Sequence, residues 1–182
     1  MKQSVLLYMK KVLAICGSIK TDSANHTLIN TIKILAKDLF AIEIVERLDQ
    51  LPYFNPNPEF ENIHEKVIVF REKIKAADGV LICTPEYVFS LPGILKNALE
   101  WTVSTTVFTD KPAALITASS SGKVAHESLL LVMQTLGVNT TPETCLLIQS
   151  IKSKMTVDGN IIDSPTKENV LKLITAFEKL MN

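Results

Sequence analysis

Polar side chains suited to phosphate binding are concentrated in residues 17–25, between two apolar segments. Residues 12–16 form a short apolar run typical of a strand buried on both faces. Apolar residues in 28–39 recur at helical spacing. Segment 17–25 is therefore predicted to be a strand-to-helix turn, where backbone N–H groups and the helix dipole favour an anion. Gly17 allows a tight turn and Lys20 adds a cation. The neutral donors are Ser18, Thr21, Ser23 and Asn25.

Three other phosphate-binding patterns are inconsistent with this segment. A dinucleotide fingerprint requires G-x-G-x-x-G, but Ile19 and Asp22 occupy the positions of its second and third glycines. The P-loop pattern G-x-x-x-x-G-K-[ST] occurs nowhere in the chain. A low-molecular-weight phosphatase would pair a nucleophilic Cys16 with an arginine six residues later, where this chain has Asp22. An ordinary helix N-cap, in which serine and asparagine are common, stays open as the alternative interpretation.

A second buried-strand run, residues 80–84, is followed by a longer motif in residues 85–101. Together the two segments resemble the NADPH-dependent FMN reductase family of flavodoxin-like proteins, which includes quinone, chromate and azo reductases. The family loop G-S-x-R-x-x-S-x-N is matched at Gly17, Ser18, Lys20, Ser23 and Asn25. The family motif P-E-Y-N-x-S-x-P-G-x-L-K-N-A-x-[DE]-W is matched at Pro85, Glu86, Tyr87, Ser90, Pro92, Gly93, Leu95, Lys96, Asn97, Ala98, Glu100 and Trp101. The resemblance extends over residues 11–181.

The resemblance implies an FMN-dependent oxidoreductase that takes hydride from NADPH or NADH and passes it to a quinone, flavin, azo or similar acceptor. FMN's phosphate is expected in loop 17–25 and its ring against residues 85–89. Such a transfer requires no proton-transfer side chain, so no catalytic residue is predicted. The predicted cofactor-binding residues are Gly17, Ser18, Lys20, Ser23, Ala24, Asn25, Pro85, Glu86, Tyr87, Val88, Phe89, Ser119 and Ser120. An FMN-binding electron carrier or redox sensor, and a flavin-free interaction module on the same fold, remain alternatives.

The chain departs from the family pattern at three places. Lys20 replaces the usual arginine, which keeps the charge but loses a bidentate contact with phosphate. Val88 replaces the usual asparagine and leaves only a backbone N–H at that position. The third loop, 118–126, lacks the Gly-Gly and arginine of many members, which affects substrate specificity more than flavin binding. Glu86 is predicted to serve turn geometry, and Tyr87 and Phe89 are predicted to contribute stacking area beside the ring. His126 and Glu127 are predicted to be solvated residues at the start of a helix.

Composition is typical of a soluble globular protein. The 182 residues predict a single domain, and 19 basic residues balance 19 acidic ones without a basic stripe. This balance argues against a nucleic-acid partner. Three cysteines in apolar runs indicate reduced thiols in a cytoplasmic protein, and no metal-ligand cluster is present in the sequence. No apolar stretch of membrane-spanning length occurs. Residues 1–8 are predicted to be a short extension, and Met9 is an alternative natural start.

Apolar periodicity predicts alternating strands and helices. The predicted strands are 12–16, 42–47, 80–84, 113–117 and 146–151; the predicted helices are 25–39, 65–76, 93–102, 126–136 and 166–180. This alternation indicates an α/β three-layer sandwich of flavodoxin-like type, in which a five-stranded parallel sheet of order 2-1-3-4-5 carries helices on both faces. A small hairpin is predicted at 158–159. Because ligands bind beyond the carboxyl ends of such strands, loops 17–25 and 85–92 are expected to meet.

A homodimer is predicted from residues 91–102, with a tetramer built from two such dimers as the alternative. This segment carries more apolar surface than one face of a sheet needs to cover. The family resemblance implies that its helix packs against a partner subunit and that loop 51–56 reaches the partner's flavin. The alternative is that the whole helix, including Trp101, belongs to the core of its own subunit.

Overall fold

Five parallel strands form the centre of the protein. The computed structural model describes residues 9–57 and 63–182, so the predicted extension 1–8 lies outside the described residues. The strands are β1 (Lys10–Cys16), β2 (Phe40–Ile44), β3 (Gly79–Thr84), β4 (Ala113–Ser119) and β5 (Cys145–Gln149). Their order is β2-β1-β3-β4-β5, and every pairing is parallel. The predicted flavodoxin-like topology is confirmed.

Helices cover both faces of this sheet. They are α1 (Ala24–Leu35), α2 (Glu65–Ala76), α3 (Gly93–Glu100), α4 (Lys123–Thr135), the short α5 (Ile151–Lys154) and α6 (Ser164–Leu180). Along β1, Val12 and Ala14 point into a core with α1 and α6, whereas Leu13 and Ile15 point into a core with α2, α3 and α4. Burial on both faces explains why the central strands are continuous apolar runs. Among the described helices, none has the length and apolar character needed to cross a bilayer.

The boundary between α1 and β2 differs from the prediction. Helix α1 ends at Leu35 and strand β2 begins at Phe40, whereas the periodicity predicted a helix to 39 and a strand from 42. Phe40 is 1% exposed and packs edge-on against Phe177 of α6, with ring centroids 5.6 Å apart. This tertiary contact fixes the start of the strand. Local strand propensity does not predict it, because Phe177 is distant in the chain.

Several other boundaries also shift. Helix α6 begins at Ser164 instead of 166 because the Asp163 carboxylate accepts the Thr166 N–H at 3.0 Å as an N-cap. Helix α3 ends at Glu100 instead of 102, and β5 ends at Gln149 instead of 151. The sequence analysis missed α5 altogether. The predicted hairpin at 158–159 is present, closed by an antiparallel bridge between Met155 and Ile161.

Candidate functional site

Four segments meet at the carboxyl edge of the sheet and enclose an open cleft of about 570 Å³. These segments follow β1, β3, β4 and β5. The cleft is lined by Ser18, Lys20, Asp22, Ser23, Ala24, Asn25, Pro85, Glu86, Tyr87, Ala118, Ser119, Ser120, Ser150, Ile151, Lys152 and Ser153. Ten of the thirteen residues predicted to bind the cofactor are among them. Of the other three, Gly17 and Val88 are chain neighbours of lining residues, and Phe89 lies two residues after Tyr87.

Gly17 brings the ends of β1 and β3 together. Its N–H donates to the carbonyl oxygen of Cys83 at 2.8 Å. A Cβ at this position would lie 2.2 Å from Thr84 Oγ1, which is too close for any side chain. The glycine is therefore required by packing between two strand ends, and this contact sets the separation between the loops that follow them.

The start of α1 presents backbone donors without protein acceptors. Ser23 occupies the N-cap position, but its side chain makes no capping hydrogen bond, and the first turn contains no acidic residue. Within residues 9–57 and 63–182, no protein atom accepts a hydrogen bond from the backbone N–H groups of Ala24, Asn25 and His26. Such groups require an external partner, and the helix dipole favours an anionic one. This arrangement argues against the ordinary N-cap interpretation and for an anion site.

Asn25 has a structural task that its position in the motif did not reveal. Its side chain is 4% exposed and connects three elements. Nδ2 donates to the carbonyl oxygen of Ala118 on β4 at 3.0 Å, and Oδ1 accepts from Sγ of Cys83 on β3 at 3.2 Å. The prediction had assigned this amide to a ligand. The structure instead commits it to holding the first turn of α1 against the sheet, and the backbone N–H of Asn25 is the group that remains available.

Glu86 forms a long-range helix cap, which corrects the predicted role in turn geometry. One carboxylate oxygen accepts the N–H of Gly122 at 3.0 Å and the other accepts the N–H of Ala125 at 3.0 Å. The Glu86 N–H donates to Ser119 Oγ at 3.2 Å. Because a carboxylate already satisfies the first turn of α4, that helix begins at Lys123, three residues before the predicted start. The negative charge also makes the α4 terminus unsuitable for a phosphate.

Tyr87 reaches across the cleft toward the first loop. Its hydroxyl lies 3.5 Å from Ser18 Oγ, and its side chain is half-exposed. Ser18 Oγ also accepts the N–H of Lys20 at 3.3 Å. Val88 and Phe89 follow Tyr87 but turn outward, with 96% and 73% of their surfaces exposed. Their predicted contact with the ring would have to come from the backbone.

His126 is not the solvated residue that was predicted. It is half-buried, and Nδ1 lies 3.0 Å from Oγ1 of Thr117, whose side chain is fully buried in β4. Burial lowers the pKa of His126, while the nearby Glu127 carboxylate opposes that shift. Glu127 is exposed, as predicted. His126 therefore stays neutral near pH 7 and serves as a packing and hydrogen-bonding residue of α4.

The sequence analysis missed the contribution of residues 150–153. Ser150 adopts a left-handed conformation with φ of 54°, and its N–H donates to the carbonyl oxygen of Ser120 at 3.1 Å. Lys152 brings a second cation to the cleft that contains Lys20. A usable signal was present, because these residues follow the fifth parallel strand and parallel strands end at one edge of the sheet.

The two thiols near the cleft are buried, which disfavours their reactive thiolate form. Burial raises the pKa of Cys16, despite hydrogen bonds from Ser18 and Ser23 that oppose the shift, and it raises the pKa of Cys83 further. A protonated, buried thiol is a poor nucleophile. This environment is inconsistent with the phosphatase interpretation of Cys16. No group of three or more histidine, cysteine, aspartate or glutamate side chains suited to a metal occurs in the described part of the chain.

A larger concavity, about 1130 Å³, runs along the open edge of β2. Its charges are mostly matched within the protein. Lys73 pairs with Glu43 at 2.7 Å, and Arg47 pairs with Asp49 at 2.8 Å. Glu46 adds a further carboxylate to the lining. Lys20 and Lys33 also line this concavity. Ala24 and Asn25, whose N–H groups lack protein acceptors, line the other cleft and not this one, so the cleft at α1 is better suited to a phosphate.

Comparison with known proteins establishes the family. The model of the NADPH-dependent FMN reductase family matches residues 10–152. An NAD(P)H:quinone oxidoreductase of Solanum tuberosum is 32% identical over 93% of this chain and 92% of its own length. A 2-hydroxy-1,4-benzoquinone reductase of Burkholderia sp is 30% identical over 87% of this chain and 88% of its own length. The solved flavoenzyme NAD(P)H:(acceptor) oxidoreductase of Paracoccus denitrificans superposes with a TM-score of 0.79 at 26% identity, covering 95% of this chain and 97% of the other.

This chain belongs to the NADPH-dependent FMN reductase family. It is therefore an oxidoreductase whose cofactors are FMN and NAD(P)H, as the two loop motifs predicted. The family assignment rules out the flavin-free interaction module that the sequence had left open.

Proposed function

We propose that this protein is a single-domain NAD(P)H:quinone oxidoreductase that holds FMN in the cleft at the carboxyl edge of its sheet. The observation that carries the proposal is the start of α1, where the N–H groups of residues 24–26 lack protein acceptors. Lys20 and Lys152 stand at the same cleft and supply positive charge. A doubly charged phosphate monoester matches these donors and cations.

The remaining lining suits the rest of FMN. Pro85 is buried and Glu86 is fixed by its bonds to α4, so the wall after β3 is rigid. Tyr87 adds an aromatic surface beside which a flat ring can pack. FMN, when bound, supplies the redox chemistry, and the chain supplies binding and orientation. Ser18, Ser23, Ser119 and Ser120 provide neutral donors along the cleft.

A quinone is the proposed electron acceptor. The relatives from Solanum tuberosum and Burkholderia are both named for quinone substrates. A quinone is flat, and it can take the place over a flavin that a nicotinamide has left, which gives ping-pong kinetics. Free flavin and azo compounds are alternative acceptors, which NADPH oxidation assays with these compounds in place of the quinone would detect.

We also propose a homodimer in the cytoplasm, although the apolar surface of residues 91–102 does not supply its interface. The apolar face of α3 is covered by its own subunit: Trp101 Nε1 donates to the carbonyl oxygen of Pro52 at 2.7 Å, and Phe54 packs edge-on against Trp101 with centroids 5.3 Å apart. The loop from 51 to 56 nevertheless presents Tyr53 with 93% of its surface exposed, which a partner subunit would cover. Free thiols at Cys16, Cys83 and Cys145 fit a reducing compartment.

Binding of FMN and of riboflavin tests the phosphate site directly. Wild-type protein should bind FMN much more tightly than riboflavin, which lacks the phosphate. Ser23→Ala, Lys20→Gln and Lys152→Gln should each weaken FMN by about three- to a hundredfold, since a hydrogen bond to a charged group contributes roughly 1.5–3 kcal/mol and a flexible lysine less. Riboflavin affinity should stay unchanged in all three variants.

The matched control for the lysines is Lys37→Gln, which removes an exposed lysine from the turn after α1. It should leave both affinities unchanged. Equal affinity of the wild-type protein for FMN and riboflavin would contradict the phosphate site.

Menadione reduction by NADPH, followed anaerobically with FMN-loaded protein, then tests the acceptor class. Flavin reduction without quinone turnover would favour the electron-carrier alternative.

A further inference from the structure

The residues after Tyr87 form a strained turn. The Tyr87 N–H donates to the carbonyl oxygen of Ser90 at 3.0 Å, and the Ser90 N–H donates back to Tyr87 at 3.0 Å. The two central residues have positive φ, 51° for Val88 and 52° for Phe89. Turns of this kind strongly prefer Asn-Gly, because glycine and asparagine tolerate the left-handed region. A β-branched valine in this conformation is an outlier that the surrounding structure must hold in place.

Burial within this chain does not compensate for that strain. Val88 is 96% exposed and Phe89 is 73% exposed. The other non-glycine residues with positive φ among those described are Arg47, Asp110 and Ser150, all of them polar. Within residues 9–57 and 63–182, only the turn at 88–89 combines two consecutive left-handed residues with two large apolar side chains. Neither backbone preference nor core packing accounts for this choice of residues.

Both ends of the turn are fixed at the cleft. On one side, Glu86 is bonded to the start of α4 and Tyr87 faces Ser18. On the other side, Leu91 is 6% exposed and belongs to the core under α3. The apolar tip of this turn, formed by Val88 and Phe89, is therefore held at the rim of the cleft by rigid flanks. A ligand bound at the wall 85–87 and extending beyond the cleft would contact this tip first.

We propose that Val88 and Phe89 determine acceptor specificity by contacting the hydrocarbon substituent of an alkyl-substituted quinone. The inference rests on the proposed function, since it takes the quinone head to react over a flavin in the cleft. The head group then occupies the cleft, and the alkyl chain lies along the exposed valine and phenylalanine. Burial of a methylene against apolar surface favours binding by up to about fourfold, and a half-open contact yields roughly twofold.

A series of 2-alkyl-1,4-benzoquinones, from methyl to hexyl, tests this contact, because the ring chemistry stays nearly constant along it. For the wild-type holoenzyme, kcat/KM should rise by roughly twofold for each of the first few methylenes. Val88→Asn and Phe89→Asn keep a residue that tolerates positive φ and remove the apolar side chain. In each variant the rise per methylene should be largely lost. The ratio between hexyl and methyl substrates within one variant cancels any change in flavin content or basal rate.

Val157→Asn is the matched control, because Val157 is 92% exposed on a turn and is not among the residues that line the cleft. It should retain the wild-type dependence on chain length. An unchanged dependence in Val88→Asn and Phe89→Asn, or a flat series in the wild-type protein, would overturn the inference while leaving quinone turnover intact. A wild-type holoenzyme that reduces no quinone would instead overturn the proposed function. Light scattering tests the alternative that Val88 and Phe89 form a subunit contact. A dimer that becomes monomeric in Val88→Asn would identify the tip as such a contact and contradict its role in specificity.

Discussion

Two loops at the same edge of the sheet are built in opposite ways. The loop after β1 leads into α1, whose first turn is held by the buried Asn25 side chain through bonds to β3 and β4. No residue of segment 17–25 has positive φ. The loop after β3 is also fixed at its base by Glu86, but its tip contains two strained, exposed residues, Val88 and Phe89.

The difference matches two kinds of ligand. A phosphate is the same in every FMN molecule, and backbone N–H groups in a fixed first turn recognise it without help from particular side chains. An electron acceptor varies in size and polarity, so its contacts must come from side chains that can be exchanged without disturbing the fold. A strained tip on rigid flanks meets that requirement at a cost in stability.

Asn25→Ala should be the most damaging substitution. It removes two buried hydrogen bonds and leaves the carbonyl oxygen of Ala118 without this donor. We expect the free energy of unfolding to fall by roughly 2–4 kcal/mol, since each buried polar group left without its hydrogen-bond partner costs about 1–3 kcal/mol. Urea denaturation of the apoprotein measures this loss. FMN affinity should fall as well, because the first turn of α1 loses its anchor.

Asn30→Ala is the control for this substitution. Asn30 lies on the same helix but is exposed, and it bonds only to His26. The change should alter the free energy of unfolding by less than about 0.5 kcal/mol. A loss of equal size in both variants would show that the effect reflects helix propensity and that Asn25 has no special anchoring role.

Glu86→Gln should have the next largest effect. The glutamine keeps one acceptor oxygen where the carboxylate provides two, and it removes the charge from the start of α4. We expect a loss of about 1–3 kcal/mol, which combines a charge-assisted hydrogen bond with the helix-dipole term. Thermal and urea denaturation at neutral pH measure it. Glu72→Gln, at an exposed residue whose nearest lysine nitrogen is 4.0 Å away, should change stability by no more than about 0.5 kcal/mol.

Val88→Gly and Val88→Asn should stabilise the protein, in contrast to the two substitutions above. A left-handed conformation costs an ordinary L-residue roughly 1–2 kcal/mol, and asparagine or glycine relieves part of it. Glycine regains less, because it also adds entropy to the unfolded chain. We expect a gain of about 0.5–1 kcal/mol for asparagine by urea denaturation. Destabilisation by asparagine would mean that Val88 makes favourable contacts in solution and that the tip is not strained.

The global arrangement could be predicted from the sequence because it depends on repeating patterns. Continuous apolar runs identified buried parallel strands. Because the carboxyl ends of parallel strands lie at one edge of the sheet, the loops after β1 and β3 were predicted to meet there. The same rule applies to Ser150 and Lys152, because they follow β5 at the same edge of the sheet. These inferences require only periodicity and topology.

The side-chain roles could not be predicted, because they depend on partners that are distant in the chain. Asn25 bonds to Ala118, 93 residues away, and Glu86 bonds to Ala125, 39 residues away. Nothing in the local sequence marks the first as an anchor or the second as a helix cap. The early start of α4 is a direct result, since its cap comes from another loop. The outward turn of Val88 was equally hidden, because valine gives no local signal for positive φ.

The smallest expected effect concerns His126, which packs beside the helix start that Glu86 caps. Burial lowers the pKa of His126 in the folded state, so the unfolded chain takes up a proton at a higher pH than the folded protein does. Stability is therefore fully present above the ordinary histidine value of about 6.5 and falls as the pH drops below it. His126→Asn cannot titrate but can still bond to Thr117 Oγ1. Between about pH 7.5 and 5.5 it should lose less stability than the wild-type protein.

NMR titration of the imidazole supplies the direct measurement, and Glu127→Gln should lower the pKa of His126 further, because that carboxylate opposes the shift. An imidazole that titrates above 6.5, with equal pH dependence in the two proteins, would mean that His126 is solvated and that the α4 terminus is less ordered than its hydrogen bonds indicate.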